Sequence, residues 1–226
     1  MNHRVHALDS FFYSSLGVYA FAIQCEMLAD LGYDGITVAA WGGTPLTDLS
    51  LLPQVPERHG LKVEGLYLVL HEGRNDHLLR QIVETVEGVE LIELAVQTSI
   101  NGQAAILRFI ESLLPIAERR GLRIALYPHL HHVTRTTSEV VQICEYFNHP
   151  RLGASFNAYH WYASQEGKLE QRLQAMKPWL MQVVTSGSAL SELGWGGAAT
   201  MEPVDRGEMD NFAVIDALNR VGYTGS

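Results

Sequence analysis

Cationic side chains are scarce and scattered in this chain. Sixteen Lys and Arg face 25 Asp and Glu, a formal net charge of −9, and no basic run stands out. Neutralising phosphates takes clustered cations, so nucleic acid is not an expected partner, and neither is an anionic membrane surface. No apolar run approaches the roughly 20 residues of a spanning helix. The opening Met1-Asn2-His3-Arg4-Val5-His6 lacks the apolar core of a signal peptide. Cysteine is also rare: Cys25 and Cys144 lie in helix-like segments with no Cys-x-x-Cys spacing. Two buried free thiols in a reducing cytoplasm are therefore expected. No linker, low-complexity tract or domain boundary interrupts residues 1–226, which read as one domain. With 47% hydrophobic and 18% charged residues, the chain has ample material for a core.

What is present is an alternation of strand-like and helix-like runs, the pattern of a parallel sheet with crossover helices. Strands are expected within Arg4–Asp9, Asp34–Ala40, Leu61–Leu70, Val89–Gln97, Leu122–His129, Leu152–Trp161 and Trp179–Ser186. Helices are expected between them, among them Val18–Leu31, Asp76–Val86, Gln103–Arg120, Thr136–Phe147 and Gly167–Ala175. Trp41-Gly-Gly-Thr-Pro45 reads as a loop, and so do Gly-rich Ser186–Ala199 and Glu202–Gly207. Asp210–Val221 reads as a last amphipathic helix. The fold class is thus α/β, a (β/α)8-type TIM barrel. A helix followed by Gly-Tyr-x-Gly occurs twice, at Leu31–Gly35 and at Val221–Gly225. The first copy leads into a strand; the second stops where an eighth strand would begin. A complete barrel takes about 250 residues. An open barrel lacking the eighth strand and helix is therefore expected. Its unpaired edges would give low stability or edge-to-edge association into a homo-oligomer.

Alternation decides which side chains face the barrel interior. With Ile92, Leu94 and Val96 facing the helices, Glu93, Ala95 and Gln97 turn inward. With Leu122, Ile124 and Leu126 outside, Arg123, Ala125 and Tyr127 turn inward. Glu93 and Arg123 then fall at similar depth, and a buried pair is expected at the barrel floor. At the C-terminal ends of the strands, where such barrels carry their sites, stand Gln97, Tyr127, His129, Asn157 and His160, with Gln182 deeper. Trp161 adjoins His160, and Glu72 and His71 end strand three, where they would rim the pocket. His131 and His132 lie farther along their loop and read as solvated. Amide, phenol and imidazole groups both donate and accept hydrogen bonds, which suits a polyol. A hard divalent cation prefers several carboxylates. A zinc site at His129, His132 and His160 is the alternative, since imidazole suits zinc. No Cys or helical His-x-x-x-His supports it, and neither metal nor other cofactor is expected.

Leu31-Gly-Tyr-Asp-Gly-Ile36, Gly121-Leu-Arg-Ile-Ala-Leu-Tyr-Pro-His129, Leu152-Gly-Ala-Ser-Phe-Asn-Ala-Tyr-His160 and Ala217-Leu-Asn-Arg-Val-Gly-Tyr-Thr-Gly225 resemble the xylose isomerase-like TIM barrels, a family of sugar phosphate isomerases and epimerases. The resemblance spans essentially the whole chain. It implies a divalent metal held by Glu, Asp, His and Glu at the ends of strands five to eight. In this sequence those positions fall on Tyr127, on Asn157, near Val184, and beyond Ser226. The ligands are absent, while His129 and His160, which flank them, remain.

The expected function is that of a sugar or sugar-phosphate isomerase or epimerase. It would move a proton next to a carbonyl without metal, with His129 and His160 as acid and base and Tyr127 or Asn157 steadying the enediolate. The expected partner is a small carbohydrate, with Arg206, in the loop before the last helix, as a candidate phosphate ligand. Two alternatives stay open: a carbohydrate-binding pseudoenzyme, and a lyase or hydrolase acting on an oxidised sugar.

Overall fold

The computed structural model describes residues 3–14, 17–40 and 46–226; the expected loop at 41–45 lies outside them. Seven strands form one parallel sheet in chain order: β1 His6–Leu8, β2 Gly35–Ala39, β3 Lys62–Glu72, β4 Leu91–Ser99, β5 Arg123–Leu126, β6 Leu152–Asn157 and β7 Leu180–Val184. Each pairs with the next. Crossover helices separate them: α1 Phe21–Asp30, α2 Val55–His59, α3 Asp76–Thr85, α4 Gln103–Arg120, α5 Thr137–Phe147, α6 Ala158–Ala163 and α7 Leu169–Met176. α8, Asn211–Val221, follows β7 and a hairpin.

The strands read as near-continuous apolar runs because both faces are covered. Ile92, Leu94, Val96, Ile124 and Leu126 pack outward into one core with Ile106, Ile110, Leu113 and Leu114 of α4. Both cysteines are buried free thiols, as expected. Burial raises Cys25 to about 11 and Cys144 to about 12, so neither is a nucleophile at neutral pH.

The barrel is a TIM barrel without its eighth unit: β1 and β7 are the sheet's two edges. The repeated Gly-Tyr-x-Gly closes its two helices identically. Gly32 and Gly222 take left-handed φ values of 80° and 78°. Tyr33 and Tyr223 each donate a backbone N–H to the leucine five residues back, Leu28 and Leu218, at 3.0 Å. Within the first copy, Asp34 donates its backbone N–H to the carbonyl of Val5, the residue before β1, at 2.8 Å. After the second, the Ser226 carbonyl accepts from Val183 of β7 at 3.2 Å, and His3 bonds the Gly225 carbonyl at 3.2 Å. Gly225 and Ser226 therefore sit between the two edges.

The expected Glu93–Arg123 pair does not form. Parallel register sets Glu93 opposite Ala125 and Arg123 opposite Leu91, two residues lower. The ion pair low in the barrel is instead Glu64 with Arg4 at 2.9 Å and Lys62 at 3.3 Å. Glu93 belongs to a buried polar layer above it. Its Oε1 accepts from Ser155 Oγ at 2.5 Å and its Oε2 from Gln182 Nε2 at 3.2 Å. Gln182 also donates to Thr37 Oγ1 at 3.0 Å. Gly65 makes room for this amide, since a Cβ there would stand 3.3 Å from Gln182 Oε1. Above lies an apolar and aromatic layer of Ala39, Ala95, Tyr67 and Tyr127, the two phenol rings meeting edge to face at 4.9 Å.

Candidate active site

Two strand ends build the site on top of the tyrosine layer. After β5 the chain turns back on itself, with His129 N–H donating to the Thr134 carbonyl at 3.0 Å and His132 N–H to the His129 carbonyl at 3.0 Å. Val133 N–H bonds the Val96 carbonyl at 2.9 Å, which ties the loop to β4. The reversal puts His131 at φ 66°. It also folds His132 back onto His129, so that their rings stack at 3.7 Å and 11°. His132 is thus part of the cluster and not the solvated residue expected.

β6 ends at Asn157, earlier than expected, and the residues up to Ala163 form α6. Asn157 caps that helix by accepting from His160 N–H at 3.0 Å. The cap turns the buried His160 ring inward, 3.9 Å from His129 and 5.8 Å from Tyr127. The other end of the same amide donates to the Tyr127 hydroxyl. The phenol therefore keeps its own O–H to donate. Burial raises Tyr127 well above its ordinary value and keeps it a neutral donor. Asn157→Ala removes a helix cap and the phenol's partner together. A loss of about 1–3 kcal/mol is expected, read by urea denaturation.

Burial, followed by the neighbouring imidazoles, controls the histidines' charge. His129 is lowered to about 4, His132 to about 3, and His160 well below its ordinary value. For His129 the hydrogen bond to the Leu130 carbonyl works in the other direction, but burial dominates. All three are neutral at pH 7.

Trp195 is a residue that sequence reasoning missed. The expected loop Ser186–Ala199 is in fact an antiparallel hairpin of β8, Gly187–Trp195, and β9, Ala199–Glu202. Its register slips between Leu190 and Trp195, and this brings the indole to 5.2 Å from His129 and 6.1 Å from His160. Tyr159 anchors the hairpin by donating to the Ala199 carbonyl at 3.0 Å. His131 bonds the Gly196 carbonyl at 3.0 Å, and a Cβ on Gly196 would meet that imidazole at 2.3 Å. Two short runs around a Gly-rich turn were the available signal. Trp195→Ala admits water to the cluster, so the pKa of His129 is expected to rise from about 4 toward 6.5, read by NMR titration.

The other expected ligands do not gather here. Gln97 continues the inward alternation of β4 but is exposed, above the level of Tyr127. Gln182 lies in the layer beneath the tyrosines, with its amide engaged. Glu72 accepts from Ser99 Oγ, from the backbone of Ile100 and Asn101, and from the Asn101 amide, all at 2.9–3.0 Å. It organises the turn after β4 rather than rimming the pocket. Trp161 packs on Phe156 in the outer core and lines a surface recess with Glu166 and Leu190. Arg206 is exposed, and its ion partner is Asp205 at 3.7 Å.

The family model described as xylose isomerase-like TIM barrel matches residues 25–226. The chain belongs to this family. No curated protein matches the sequence. Among solved structures, 3-keto-D-glucoside 4-epimerase from E. coli is similar at TM-score 0.74 and 14% identity, covering 99% of this chain and 90% of the other. D-allulose 3-epimerase from Methylomonas sp., in complex with D-allulose, gives 0.73 and 18%, covering 99% and 83%. Mannonate dehydratase from Streptococcus suis gives 0.71 and 13%, covering 99% and 82%. At such identities the likeness concerns the fold.

This xylose isomerase-like barrel does not suit the divalent metal that the family resemblance implies. Tyr127 and Asn157, on which the resemblance places two of those ligands, bond each other instead. The imidazoles do not form a substitute site. Three rings converging on one zinc at about 2.0–2.1 Å would splay to centroid separations of roughly 5 Å. Here they stack at 3.7 and 3.9 Å, and the Nδ1 atoms of His129 and His160 are engaged by Leu130. Among the described residues no group of three or more His, Cys, Asp or Glu is placed to hold a metal. No described helix is long and apolar enough to cross a membrane.

Proposed function

We propose that this barrel is a metal-independent sugar isomerase or epimerase of the cytoplasm. It takes a small sugar or sugar phosphate at the barrel mouth and needs no cofactor. His129 and His160 transfer a proton next to the sugar carbonyl, and Tyr127, with Asn157 behind it, steadies the negative charge that develops on oxygen. Gln97 is available at the rim for a sugar hydroxyl. The observation that carries this reading is the contact of two neutral imidazoles at 3.9 Å above a phenol whose acceptor side is already filled. Sugar epimerases and a sugar-acid dehydratase among the fold neighbours favour a carbohydrate. The test is deuterium uptake from heavy water into a panel of aldoses and ketoses, with and without chelator. Uptake insensitive to chelator supports the reading; uptake that needs added metal refutes it. The closed Tyr127–Asn157 contact favours a second reading, a binding protein without catalysis, in which a sugar binds but no C–H exchanges.

A further inference from the structure

The Leu130 backbone makes two hydrogen bonds whose direction chemistry fixes. Its carbonyl only accepts, so His129, bonded through Nδ1 at 2.7 Å, carries its proton on Nδ1. Its N–H only donates, so His160, receiving it on Nδ1 at 3.3 Å, carries its proton on Nε2. Among the described residues no hydrogen bond engages either Nε2. The backbone of one residue thus sets opposite tautomers in two rings 3.9 Å apart. His129 presents a lone pair and His160 an N–H.

From this juxtaposition we infer that His129 is a fixed base and His160 a fixed acid for an α-hydroxycarbonyl sugar, and that the reaction is an aldose–ketose carbonyl shift, not an epimerisation. The inference rests on the function proposed above. His129 Nε2 takes the proton from the hydroxyl-bearing carbon, and the C–H electron pair becomes the C=C bond of an enediol. The carbonyl oxygen takes the Nε2 proton of His160. The imidazolate left behind is supported at Nδ1 by the Leu130 N–H. His160 then recovers a proton from the neighbouring hydroxyl, whose oxygen becomes the new carbonyl. His129 returns its proton to the former carbonyl carbon. Atoms and electrons balance without an oxidant. Inversion at one carbon would need the proton returned to the opposite face, whereas these rings adjoin on one side.

Long-range proton–nitrogen NMR of the full chain tests the polarity without any substrate. His129 should show Nδ1–H and His160 Nε2–H at pH 7, the signals being assigned by their loss in His129→Gln and His160→Gln. The same tautomer in both rings would overturn the proposal. With a turning-over sugar, His160→Gln keeps an N–H donor but cannot pass a proton between the two oxygens, so it should retain C–H exchange within about 10-fold while losing the carbonyl shift; His129→Gln should lose both by about 10²–10⁴-fold. Equal losses of exchange, or a product epimeric at an unshifted carbonyl, would also overturn it. Opposite tautomers with no exchange from any sugar would refute the catalytic function, and the carbonyl shift with it, while leaving the polarity established.

Discussion

His129→Ala should lower the rate of sugar C–H exchange by about 10²–10⁴-fold, the usual contribution of a positioned acid or base. His160→Ala should cost a similar factor, since it removes the donor with no replacement. The double variant should lose little more than the worse single one, because a base without its acid already fails to complete the transfer. The two variants differ in stability. His129 is partly exposed, and its ring bonds a neighbouring carbonyl; His160 is buried between Tyr127, Tyr159 and His129. His160→Ala therefore leaves a cavity and should be several kcal/mol less stable, on the scale of buried aromatic truncations of about 3–5 kcal/mol. Rates need to be compared at a temperature where circular dichroism shows both variants folded. Full exchange in His129→Ala would remove it from the chemistry.

The fold was legible because barrel strands and helices differ in period, and because the chain repeats its own punctuation. The glycines at 32 and 222 end their helices in the same left-handed turn, so one copy forecasts the geometry of the other. Facing was legible too: Ile92, Leu94 and Val96 outward, Glu93 and Ala95 inward. Depth was not. Counting back from the strand ends placed Arg123 beside Glu93, but the register belongs to the pair of strands and sets Ala125 there instead.

The site was half legible for the same reason. Tyr127, His129, Asn157 and His160 stand at strand ends, where sequence reasoning looks. His132 reaches the cluster through a left-handed backbone at His131, and Trp195 through a slipped hairpin register. Neither departure has a periodicity to betray it. Glu72 shows the reverse failure. Its position suited a ligand, but hydrogen bonds from the Asn101 side chain and backbone, then Ser99 and Ile100, hold its carboxyl below the ordinary range. That carboxylate is occupied by its own loop.

Glu93 should make the protein less stable as pH rises from about 4.5 to 7. Burial raises its pKa to about 7, against the opposing Ser155 hydrogen bond. Below 4.5 the folded and unfolded chains both hold the proton, and stability is full. Between 4.5 and 7 the unfolded chain releases it while the folded one does not. The loss reaches about 3 kcal/mol and then levels off. The imidazoles act in the opposite direction over an overlapping range. His129 and His132, lowered to about 4 and about 3, lose stability as pH falls below 6.5, because the unfolded chain then binds protons that the fold refuses. The raw stability curve therefore mixes two slopes of opposite sign, and the difference between wild type and Glu93→Gln isolates one of them. Rearranged hydrogen bonds with Ser155 and Gln182 add an offset independent of pH. Denaturant titrations should show the variant gaining about 3 kcal/mol relative to wild type between pH 4.5 and 7 and nothing further above that. Parallel curves would mean that Glu93 ionises in the fold as it does in water. At neutral pH the layer under the tyrosines would then carry a full negative charge, and the field felt by Tyr127 and the two imidazoles would have the wrong sign for holding an enediolate.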